Sequence, residues 1–94
     1  MIALGTEPFW MLAATFKTLA WTSPEQPTAQ PVVASAREIA GGWRYEGTLD
    51  GQPLLLEFTT KPCSDGMSDR TYPLTARVTK GTATYRGCAR VGLR

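Results

Sequence analysis

Short runs in which apolar and polar residues alternate, divided by turns containing glycine, proline or aspartate, dominate this chain. A period of two places alternate side chains on opposite faces of an extended strand, so the pattern predicts an all-β domain. The clearest segment is Trp43 to Phe58, which turns at Asp50-Gly51. Both central residues of a type I′ turn need positive φ, and Asp-Gly provides that at low steric cost. Folding there predicts the pairs Leu49–Gln52, Gly47–Leu54, Tyr45–Leu56 and Trp43–Phe58. Nearly all the bulky apolar groups then share one face, and Arg44 lies across from Glu57 on the other. A slip by one residue would bury those charges, which specifies the register.

A second hairpin is predicted from Pro73 to Val91 through Lys80-Gly81. It sets Leu74, Ala76 and Val78 against Gly87, Tyr85 and Ala83, with Arg77 opposite Thr84 and Arg86 opposite Thr75. Cys88 falls on the polar side, across from Pro73. Upstream, Phe9 to Thr15 and Thr18 to Thr22 read as strands, with Trp10, Leu12 and Ala14 on one face. The stretch from Thr22 to Pro27 reads as a loop because two prolines remove ladder donors. Pro31 to Ile39 reads as an extended strand, with a short capped helical turn as the alternative. The expectation is one domain over residues 1–94: a small antiparallel, closed or nearly closed β-barrel of six to seven strands with one disulfide.

Composition narrows the chemistry. The chain has 94 residues, nine aromatics, two cysteines and no histidine. Histidine-dependent triads, His-ligated zinc and imidazole proton shuttles are therefore excluded. Cys63 and Cys88 are 25 positions apart, too few thiols for a structural zinc site and the wrong spacing for a CxxC pair. A disulfide is expected, the alternative being two unrelated buried thiols. It points to an oxidising compartment such as the periplasm. No stretch approaches the ~20 apolar residues of a membrane span, and no basic-then-apolar leader stands at the N-terminus. Met1 directly precedes domain-like sequence, so a leader is expected to have been removed.

The total charge of +2 hides a division. Residues 1–60 hold three basic and six acidic groups, whereas residues 61–94 hold seven basic and two acidic groups. Arg77, Arg86 and Arg90 are expected on the outer face of the second hairpin. That arrangement suits an anionic ligand, although a solvated polar face has the same composition. Nucleic acid is not expected, because Tyr85 points to the core and leaves that face without a stacking platform.

Gly5-Thr6-Glu7-Pro8-Phe9-Trp10, the run from Cys63 to Pro73 (CSDGMSDRTYP) and Gly87-Cys88-Ala89 are more distinctive than the composition. Together they resemble a family of uncharacterised bacterial envelope lipoproteins, similar also to small periplasmic β-barrel domains linked to heat shock and motility. The resemblance implies a barrel fold and a periplasmic, lipid-anchored location with membrane contact only through a removed anchor, but no reaction. Where that family carries a Gly- or Asp-rich turn, this chain has Thr15-Phe16-Lys17, which suggests a distorted turn or a partner contact at Phe16.

Asp65 and Asp69 flank Gly66, yet no bidentate glutamate closes a calcium loop of ~6–8 oxygens, so backbone capping is the simpler role and no metal or cofactor is expected. Arg70 can lock that loop by an ion pair or present its fork to an anion. Glu7, Glu46 and Glu57 offer carboxylates for a small hydrolase, with nothing to space them across a cleft. The leading expectation is a monomeric, non-enzymatic envelope module that binds a partner or anionic ligand. Its contact residues are Asp65, Asp69, Arg70, Tyr72, Arg77, Arg86 and Arg90, beside the Cys63–Cys88 staple. A lysozyme inhibitor and a paired-carboxylate hydrolase are the alternatives.

Overall fold

A computed structural model describes residues 1–6, 9–15, 17–64 and 71–91. The alternating runs form ten strands: β1 (Ile2–Thr6), β2 (Phe9–Ala14), β3 (Thr18–Ser23), β4 (Gln26–Ile39), β5 (Gly42–Leu49), β6 (Gln52–Thr59), β7 (Cys63–Ser64), β8 (Thr71–Tyr72), β9 (Leu74–Lys80) and β10 (Ala83–Arg90). Eight of them, β1 to β6 with β9 and β10, close an antiparallel barrel in which successive strands are neighbours and β10 returns to β1. The short pair β7–β8 stands apart from the barrel sheet.

The expected six or seven strands thus become eight. The strand that pattern alone missed is β1, whose Ala3 and Gly5 are weak strand formers. Partners distant in sequence hold it: β2 pairs on one side and β10 on the other. β3 also reaches Ser23 and β4 begins at Gln26, so the predicted loop shrinks to Pro24-Glu25. Prolines are tolerated in β4 because residues 26–33 pair only with β3 and residues 34–39 only with β5 among the described residues. Each half of that strand keeps one edge where a missing N–H breaks no ladder.

The β5–β6 hairpin has the predicted register, with Trp43 opposite Phe58 and Arg44 opposite Glu57. Asp50 and Gly51 hold φ of 53° and 78°, as a type I′ turn requires. The β9–β10 hairpin departs from expectation by two residues. Lys80 pairs with Ala83, Arg77 with Arg86 and Cys88 with Thr75. The cause lies in the turn. A Lys80-Gly81 turn would force lysine to positive φ, whereas Gly81-Thr82 puts glycine first, at φ 63°, the arrangement of a type II′ turn. A shift of two preserves the faces but changes every partner. A Cβ on Gly81 would also lie 2.5 Å from Gln52 Oε1, so Gly81→Ala should lower stability by about 1–2 kcal/mol in a thermal or urea melt.

An eight-stranded barrel has an interior that side chains just fill. Trp10, Leu12, Leu19, Leu54, Leu56 and Val78 are almost fully buried there. Trp10 fits because β1 and β10 present glycine beneath it. A Cβ on Gly5 would stand 2.1 Å from the indole Nε1, and one on Gly87 would stand 2.9 Å from its Cζ2. The separate motifs around Gly5, Trp10 and Gly87 therefore meet in one packing arrangement.

Candidate functional site: an arginine line on the outer wall

The registers of five strands bring charged residues into one transverse line on the outer wall. Arg37 of β4 lies opposite Arg44 of β5, which lies opposite Glu57 of β6. Glu57 lies opposite Arg77 of β9, and Arg77 opposite Arg86 of β10. Neighbouring strands are about 5 Å apart, so the line crosses half the barrel with four arginines and one glutamate.

The two ends of the line differ in how they are neutralised. Arg44 Nη1 donates to Glu57 Oε2 at 2.9 Å. Its Nε lies 2.7 Å from Glu46 Oε2, but the N–H is not aligned for a hydrogen bond, so we read that contact as charge pairing alone. Glu46 also approaches Arg37 at 3.6 Å. Such pairs contribute at most about 1 kcal/mol each, but they engage both carboxylates. Arg77 and Arg86 are exposed and form no ion pair among the described residues. Like charges directly opposite on a sheet repel, and among the described residues no ion pair offsets that repulsion, since Glu57 beside Arg77 bonds to Arg44 instead.

The disulfide shapes the ground beside this pair. Cys63 and Cys88 are bonded, with Cα atoms 5.5 Å apart. Cys88 points outward from β10 yet is 2% exposed, because the tethered segment covers it. Thr75 Oγ1 donates to the Lys61 carbonyl at 3.0 Å and fixes the start of that segment on β9. Two adjoining depressions result. One of about 240 Å³ lies between Glu57, Lys61, Thr75 and Arg77, and one of about 300 Å³ runs along β1 and β10 beside Cys63 and Ser64. Arg86 and Thr75 line both.

Of the contact residues expected from sequence, Arg77 and Arg86 come together. Arg90 does not join them: it lies four residues along β10, about 13 Å away, opposite Ile2. Its charge adds to burial in lowering the Met1 ammonium pKa. Tyr72 is 5% exposed and pairs with Cys63, so it seats the tethered segment instead of meeting solvent. Asp65, Asp69 and Arg70, like Glu7 and Phe16, lie outside the described residues. Among the described residues no three acidic or thiol groups gather where a metal could bind. Glu46 and Glu57 each pair with Arg44, on its Nε and Nη1 respectively. Sequence reasoning missed Lys61 as part of the groove, since only the fold of the tether brings it to Arg86, whereas the second hairpin by itself places Thr75 beside Arg86.

These features define an eight-stranded up-and-down barrel with a disulfide-held strap and a partly neutralised arginine line. Comparison of the chain with protein-family models, with curated proteins and with solved structures gave no match.

Proposed function

We propose that the domain is a non-enzymatic binding module of the bacterial cell envelope that receives an anionic group at Arg77 and Arg86. The observation that carries this reading is the direct opposition of two exposed arginines, Arg77 and Arg86, with the cross-strand neighbour of Arg77, Glu57, already engaged by Arg44. An arginine fork donates bidentately to phosphate or carboxylate, and two side by side match two adjacent singly charged headgroups. The strap beside them provides a wall for the rest of the ligand. The Cys63–Cys88 bond, together with the resemblance of the sequence motifs to envelope lipoproteins, supports a periplasmic location. The same arginines disfavour a cationic partner such as lysozyme.

Vesicle cosedimentation tests the reading. The domain should bind phosphatidylglycerol vesicles and not phosphatidylcholine vesicles, with affinity falling as salt rises. Each basic residue at an anionic surface is worth about 1 kcal/mol, so Arg77→Glu with Arg86→Glu should weaken binding by more than roughly 30-fold. Arg90→Glu, outside the pair, should cost far less. Equal retention of wild type and the double variant would remove the proposal.

A further inference from the structure

A second polar feature lies at the barrel end where β3 turns into β4. There the interior opens into a cavity of about 280 Å³ lined by Phe9, Trp21, Lys80 and Tyr85. The β3–β4 turn supplies the rim through Ser23, Glu25 and Gln26. Trp21 is 4% exposed, and its Nε1–H has no acceptor among the described residues. A buried donor left unpaired carries its whole desolvation penalty, so it calls for an explanation. The indole is held in place: it stacks on Trp10 at 5.8 Å with 6° between planes, and Tyr85 packs against it at 5.1 Å.

Lys80 Nζ stands 5.6 Å from the centroid of the same ring. That position follows from the two-residue register shift, which makes Lys80 the last inward-facing residue of β9 instead of a turn residue. Two of the neighbouring polar side chains are otherwise occupied. Ser23 Oγ accepts from the Gln26 N–H at 3.3 Å, and the Gln26 amide donates to Asp50 at 3.4 Å. An ammonium and a buried, unused N–H donor therefore sit on one aromatic wall.

We propose that this mouth binds a small carboxylate with a flat apolar body. The carboxylate lies against Lys80 and, once the side chains around the buried indole nitrogen part, accepts from Trp21 Nε1–H, while the body packs between Phe9, 49% exposed, and Tyr85. The cavity is near the lower limit of ligand pockets, which sets a size of about ten non-hydrogen atoms and a dissociation constant on the order of 1 mM. Glu25, exposed at the rim, opposes the carboxylate and moderates the affinity. This site is separate from the Arg77–Arg86 pair, and loss of either reading leaves the other intact.

Titration of the whole domain with benzoate, followed by the tryptophan indole N–H resonances, tests it. Benzoate should shift the Trp21 resonance saturably, assigned by its loss in Trp21→Phe, and leave that of Trp43 unmoved. Lys80→Met keeps the aliphatic stem against the ring and should weaken binding about tenfold or more, whereas Glu25→Gln should tighten it severalfold. Benzyl alcohol, the neutral match, should bind at least tenfold more weakly. An unmoved Trp21 resonance, or equal responses to benzoate and benzyl alcohol, overturns the proposal. Preference for benzylamine overturns it too, in favour of a cation read by Glu25.

Discussion

Removing the Cys63–Cys88 bond, by Cys63→Ser with Cys88→Ala, is expected to lower stability by about 3.5 kcal/mol. That figure follows from the chain entropy released when a loop of 25 residues is no longer closed in the unfolded state. A domain of 94 residues has only about 5–14 kcal/mol in total. The melting temperature should therefore fall by roughly 14–28 °C, read by circular dichroism with and without reductant. The barrel should survive at room temperature, because β1–β10 pairing closes it independently of the bond. Affinity at the arginine pair should fall as well, since Cys63 and Ser64 wall the groove that Arg86 lines. An unchanged melting temperature would show that the strap contributes nothing to stability.

The second large effect is expected at Gly87. An added Cβ would stand 1.9 Å from the Leu4 carbonyl oxygen, a backbone atom fixed by the β1 ladder, as well as 2.9 Å from Trp10. The nearer contact decides the outcome, because backbone moves less readily than a ring. Gly87→Ala should destabilise by about 3 kcal/mol, at the upper end of overpacking costs. Trimming the indole should not rescue it. Gly5→Ala gives a contrast, since its three nearest neighbours are all atoms of the Trp10 indole. Combined with Trp10→Leu, Gly5→Ala should cost clearly less than the sum of the single changes, while Gly87→Ala should remain additive. Urea melts of the four combinations at each position distinguish the two cases.

The contrast between the two hairpins shows what local chemistry can specify. Asp50-Gly51 fits one turn type, so its register was legible along with every pair from Trp43 to Phe58. Lys80-Gly81-Thr82 permits two turn placements one residue apart, which change every strand partner by two residues, and both keep the apolar face inward. Periodicity cannot separate them; the cost of positive φ at lysine does. That difference changed the site, since only the observed register sets Arg77 against Arg86 and turns Lys80 into the mouth. β1 was illegible for another reason. Its stabilisation comes from β10, more than eighty residues away in sequence, and from the indole lying over Gly5. The pairing of Cys63 with Cys88 was legible because no other thiol exists.

β1 and β10 pair with Ile2 opposite Arg90, so the chain enters and leaves at one end of the barrel, while Lys80, Phe9 and the Pro24-Glu25 turn lie at the other. Anything joined covalently to either terminus holds the domain by its floor and leaves the mouth free. The arginine line crosses the side wall, perpendicular to the strands and so oblique to the barrel axis. Docking through Arg77 and Arg86 would lay the barrel on its flank, its axis along the surface it meets. A flexible linker of a few residues at either end permits that tilt, and a rigid one would hold the arginines away.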